Sequence, residues 1–122
     1  LRISPTCTRV PVERAHTQVI TVELRSPATE DELRKVLASA PGLVIVDDRA
    51  TNSFPTPLKA TGQDEILVGR LRRDPGSVGR PDDHGLRWCL LVSADQLRKG
   101  AALNAVQIAL QALHVQVRGV LR

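Results

Sequence analysis

The chain has 122 residues, 42% of them hydrophobic, and a net charge of +4, which suits one modest domain with a core of its own. Aromatics are only 2%, Phe54 and Trp88 without Tyr. The core must therefore be aliphatic, and the scattered arginines lack the stacking partners of a nucleic-acid surface; anionic small molecules such as phosphates and carboxylates suit the charge equally well.

Two cysteines, Cys7 and Cys89, make no disulfide framework and read as reduced thiols. The opening LRISPTCTRV has no long apolar core of the kind a signal peptide carries. The most apolar run, 101–117, is broken by Asn104, Gln107, Gln111, His114 and Gln116, so it reads as a buried helix rather than a membrane span. The expected setting is soluble and cytoplasmic.

Residues 6–12, TCTRVPV, are β-prone, but Pro11 cannot donate a ladder hydrogen bond, so an edge strand or a bend is expected there. HTQVITVEL, 16–24, alternates and reads as a half-buried strand, with Thr17, Val19, Thr21 and Glu23 on one side. Thr29 followed by Glu32 forms a capping box that opens a helix over 29–40. Its face is Leu33, Val36, Leu37 and Ala40, and Pro41 and Gly42 stop it. LVIVD, 43–47, is a continuous apolar strand expected to be buried on both faces.

The polar stretch 48–64 is too long to be idle in so small a domain. EILVGRL, 65–71, and LRWCLLV, 86–92, are further strands, joined by a turn-rich connection. Ser93 or Asp95 then caps a helix running to about Val117. Apolar residues nearly encircle that helix, so a covering partner is expected: another domain, another subunit, or both.

Several residues invite chemical readings. Arg9 carries a fork that fits carboxylates and His16 can move protons near neutral pH. Their odd spacing puts them on opposite faces of a straight strand. They share a site only if the chain bends near Pro11 or reverses between Val12 and Ala15. By local pattern alone, a salt-bridged arginine and a partly buried histidine is the plainer reading. Cys7 with His16 as base is a further arrangement, but nothing nearby would lower its pKa, and a buried structural thiol fits better. Cys89 reads as core. Asp82, Asp83 and His84 read as a solvated turn, without the second cluster a metal site needs. Asp47 and Asp48 fit a turn start, and His114 fits packing or capping. The helix start SADQLRKGAALNA fits an anion site or a tightly packed turn equally. There is no GxGxxG and no GxxxxGK[ST].

Four ordered blocks, TCTRVPVERAHTQVITVEL, LVIVDD, FPTPLKATGQDEILVGRLRRD and ADQLRKGAALNAVQIA, resemble the aspartate-β-semialdehyde dehydrogenases. The resemblance spans about 6–110 and covers the later half of that family's catalytic and dimerisation domain, here 1–94, plus its closing helix, 95–118. It implies an α+β fold with a mixed, largely antiparallel sheet and helices packed on one face, as in the C-terminal domain of the glyceraldehyde-3-phosphate dehydrogenase-like superfamily.

The resemblance also implies roles. Arg9 matches the family's substrate-carboxylate arginine, His16 its proton acceptor, and Gln96 the residue against the nicotinamide end of NADP. Family enzymes reduce an acyl-cysteine made from aspartyl phosphate to aspartate semialdehyde and phosphate, in the biosynthesis of lysine, methionine and threonine. They form homodimers or homotetramers and take a small-molecule substrate; neither a nucleic acid, a membrane nor a metal is expected. The family's Gly-rich cofactor domain, its Asn-Cys nucleophile and its phosphate-binding Lys segment have no counterpart in this sequence. The expectation is a portion inactive alone. The rival is a non-catalytic dimerisation or interaction module, against which the retention of both Arg9 and His16 counts.

Overall fold

The structure, a computed structural model, describes residues 2–120, with side chains described for 2–113. Its elements are β1 His16–Glu23, α1 Glu30–Ser39, β2 Leu43–Ile45, α2 Pro57–Ala60, β3 Ile66–Arg73, β4 Arg87–Ala94 and α3 Leu103–Val120. The strands form one four-stranded sheet in the order β1-β4-β3-β2. β1 and β3 both pair antiparallel with β4, and β2 runs parallel to β3. This is the mixed, largely antiparallel α+β sheet expected from the sequence.

α1 forms where the capping box places it. The Glu32 N–H donates to the Thr29 hydroxyl at 3.2 Å, and the Thr29 N–H returns a bond to the Glu32 carboxylate at 2.8 Å. Glu30, Asp31 and Glu32 in the first turn complement the helix dipole. Leu37 shares a small crevice with Ile45, Val68 and Leu71, and Arg34 reaches Asp47 at 2.5 Å and Glu30 at 2.9 Å. α1 thus covers the Val68 face of the sheet. The adjacent residue Leu67 points to the other face, where it meets Ala60 of the one-turn α2, together with Ala15 and Val46. The long polar stretch is therefore not idle. It carries α2 across the sheet and seals that second cluster.

Val68, Leu71, Trp88 and Cys89, on β3 and β4, are all buried. The Trp88 indole donates to the Gly85 carbonyl at 3.2 Å, and the Arg73 guanidinium lies 5.5 Å from the ring centre. β3 is interrupted by a bulge between Gly69 and Arg72, with Arg70 at φ +53°. Gly69 is required by close approach: a Cβ there would lie 2.1 Å from the Val46 carbonyl oxygen and 2.7 Å from Pro55 Cδ.

Several expectations need correction. Residues 6–12 form no strand; they are exposed coil without a ladder partner, and β propensity does not survive without one. Cys7 is accordingly exposed rather than a buried thiol. β2 is three residues long at the sheet edge, and Val44 is 43% exposed, so the 43–47 run is not buried on both faces. The last helix is not continuous from Asp95. A wide π turn, Arg98–Ala102, intervenes, with Ala101 at φ −142° and ψ −107°. α3 packs against that turn, while Val106, Ile108, Leu110 and Leu113 are left more than half exposed. The His114 side chain lies outside the described residues.

Replacing Gly69 with alanine is expected to lower stability by about 1–3 kcal/mol, the usual cost of overpacking. Urea unfolding followed at Trp88 measures it; an unchanged midpoint would show that the Val46–Pro55 segment moves aside freely.

Candidate active site

The segment before β1 turns sharply. The Val12 N–H donates to the Val10 carbonyl at 2.9 Å, and Ala15 adopts φ +74°. An alanine in that left-handed region costs about 1–2 kcal/mol and needs outside support. The support comes from the far end of β4. His16 pairs with Ala94 in the strand register, which brings 14–16 alongside 94–96. The Ala15 N–H donates to Gln96 Oε1 at 2.7 Å. Arg14 Nη2 reaches Asp95 Oδ2 at 2.6 Å. The chain thus bends between Val12 and Ala15.

Asp95 is the centre of this arrangement. Its side chain is 0% exposed. Oδ2 also accepts the Gly62 N–H at 2.7 Å, and Oδ1 accepts the Leu97 N–H at 3.0 Å. Its backbone carbonyl accepts from Arg98 and Lys99 at 3.1 and 2.9 Å. Burial pushes the carboxyl pKa up, but the Arg14 bond and the two backbone N–H groups outweigh it and hold the group at about 2. Three segments distant in sequence, 14–15, 62 and 95–97, are tied by one carboxylate.

The sequence-derived site residues fall as follows. His16 opens β1 with an exposed side chain, not a partly buried one. Arg9 is exposed in the preceding coil and has no ion-pair partner among the described residues. Gln96 is half-buried and holds the residue next to His16. The structure therefore brings Gln96 and the His16 turn together, and leaves Arg9 on the free segment leading into that turn. Arg14 and Gly62 carried no sequence signal, and Asp95 gave only a helix-cap signal.

The other candidates resolve into structure. Asp48 accepts the N–H groups of Ala50 and Thr51 and starts a turn. Asp83 pairs with Arg73, and Asp82 with Arg80 and Arg87. A depression of about 370 Å³ lies over the bulge, lined by Glu30, Asp48, Arg49, Phe54, Arg70 and Arg72. Within it Arg49 pairs with Glu30, and Arg70 lies 5.2 Å from the Phe54 ring centre. It contains none of the three site residues. Among the described residues, no helix is long and apolar enough to cross a membrane.

Comparison with known proteins adds to this geometry. A sequence model of the semialdehyde dehydrogenase dimerisation domain matches residues 2–99. The chain is similar to the aspartate-semialdehyde dehydrogenase of Synechocystis sp., 47% identical over 109 residues, which is 89% of this chain and 30% of that protein. The same enzyme from Mycolicibacterium smegmatis is 47% identical over 89% of this chain and 28% of its own length. Among solved structures, aspartate semialdehyde dehydrogenase II of Vibrio cholerae, complexed with ASA, superposes with a TM-score of 0.77 at 38% identity, over 90% of this chain and 30% of that one. The chain spans about 30% of the length of these relatives.

The Asp95 cluster carries an acid sensitivity of definite sign. The folded pKa, about 2, lies below the ordinary 3.8, so the unfolded chain binds the proton more readily. The stabilisation is complete above 3.8 and is lost as pH falls towards about 2. Asp95→Asn is expected to destabilise the chain at neutral pH and to flatten the acid limb of its stability profile in that window. Thermal unfolding across the same pH range checks both; parallel acid limbs for the two proteins would contradict the assignment.

Proposed function

The chain belongs to the semialdehyde dehydrogenase dimerisation-domain family, and from that premise we propose that it forms the later part of the catalytic and dimerisation domain of an NADP-dependent aspartate-semialdehyde dehydrogenase. The observation that carries this reading is the 47% identity over 109 residues, together with the family match over residues 2–99, which includes the Arg9–His16 block. The substrate is aspartyl phosphate in the reductive direction, and the product is aspartate semialdehyde, for amino-acid biosynthesis in the cytoplasm.

Each proposed role follows from the side chain and its placement. Arg9, on the free segment, binds the carboxylate of the amino-acid substrate through a charge-assisted pair. His16, exposed at the first position of β1, takes the proton of an attacking thiol supplied by another part of the enzyme and returns one when the intermediate collapses. Gln96 commits its carbonyl oxygen to Ala15, leaving its amide nitrogen outside that bond. That donor fits the carboxamide end of a nicotinamide. NADP, when bound, supplies the hydride chemistry.

Exchanging this chain's segment for the matching 109 residues of the Synechocystis relative gives a full-length enzyme in which to test these roles. Arg9→Ala is expected to raise KM for aspartate semialdehyde, with a cost on the order of 2–5 kcal/mol if the bound substrate buries the pair. Arg9→Lys should recover only part of this, because an ammonium cannot form the two-pronged pair. His16→Ala is expected to lower kcat by about 10²–10⁴-fold. A chimera that assembles but is inert with both residues intact would leave the non-catalytic dimerisation module as the reading.

The family and the exposed aliphatic side chains of Val19 and α3 also support self-association. Light scattering of the isolated chain at micromolar concentration is expected to give a mass above 13.3 kDa. A purely monomeric solution would place the dimer contacts outside this segment.

A further inference from the structure

We propose that Asp95, acting through Arg14, is a positioning residue for His16. The buried carboxylate fixes the left-handed turn that decides where the imidazole stands. This role presupposes His16 as the proton acceptor.

His16 is exposed, and its direction is set by the backbone that delivers it. That backbone passes through Ala15 at φ +74°, a conformation an alanine does not hold unaided. Two neighbouring residues beyond β4 hold it from different sides. Gln96 takes the Ala15 N–H, and Asp95 takes the Arg14 side chain. A carboxylate that only capped the turn after β4 would need the Leu97 N–H and no more. Asp95 also collects Arg14 and Gly62, from segments far away in sequence, and is sealed from water while doing so. The arrangement therefore locks the start of β1 to the end of β4 at the residue where the proposed chemistry begins. The pair is end-on: Nη2 makes the contact while Arg14 Nε is buried without a partner. A lysine can reproduce such a contact, although it could not reproduce a two-pronged one.

Two measurements test this. In the isolated chain, Asp95→Asn is expected to speed amide hydrogen exchange at Ala15 by about 10-fold or more, relative to the amides of β4. Ala15 protection that is unchanged, or that falls in step with β4, overturns the lock. In the Synechocystis chimera, Asp95→Asn and Arg14→Met are expected to lower kcat by about 10–100-fold, the scale of a misplaced catalytic group. KM for aspartate semialdehyde and for NADP should stay within about 2-fold, and Arg14→Lys should recover most of the turnover. Full turnover in Asp95→Asn, a loss confined to KM, or a lysine variant no better than methionine overturns the positioning role alone. An inactive unsubstituted chimera instead removes the dehydrogenase reading, and the catalytic role with it.

Discussion

A carboxylate without access to water must be matched by donors, and the Asp95 side chain is where this chain meets that demand. Leaving such a charge unpaired is strongly destabilising, so each donor is constrained to stay. The donors come from the turn before β1, the loop after α2 and the start of the turn after β4. That constraint accounts for features that look unrelated. The loop between β2 and β3 must be long enough to bring Gly62 across the sheet. Ala60 must be small and fully buried beside Ala15. Ala15 tolerates its backbone conformation because both neighbouring anchors are fixed.

The elements legible in the sequence were those whose cause is local. The Thr29–Glu32 box places α1 within a residue of where it begins, because the signal and the structure are the same two hydrogen bonds. The alternation in 16–24 and the apolar runs near 66 and 88 likewise correspond to β1, β3 and β4. The failures share a different cause. Whether 6–12 is a strand depends on a neighbour to pair with, and whether 43–47 is doubly covered depends on what lies beyond the sheet edge. Neither is written in the segment itself. Within the site, the Arg9 and His16 roles came from resemblance, since their spacing alone favoured a bland reading. The contacts of Arg14, Gly62 and Asp95 had no periodicity to announce them. An aspartate following a strand ordinarily means a cap, and nothing local distinguishes one that also accepts an arginine from the turn before the neighbouring strand.

The exposed surfaces form a pattern of their own. Val19 on β1, Val44 on β2 and the aliphatic row on α3 lie at the margins of the sheet or on the helix that leaves it. The buried residues, by contrast, concentrate in β3, β4 and the loop that crosses them. A segment that spans about 30% of its relatives' length is expected to show this. Its centre is finished, and its rim keeps aliphatic side chains exposed.

The pairing of β1 with β4 has a consequence for the order in which the chain is made. His16 is held by Ala94, and Glu23 by Arg87, so β1, the earliest of the four described strands in chain order, finds its partner only when β4, the last of them, has left the ribosome. At the usual elongation rate that interval is about 4–15 s. Throughout it, α1, β2 and β3 can collapse on one another while β1 waits without β4. Growing chains are thus exposed to mispairing at a strand whose correct mate does not yet exist. The polar alternation of β1, with Thr17, Gln18, Thr21 and Glu23 among its eight residues, tempers that risk by giving the waiting strand little apolar surface with which to recruit another.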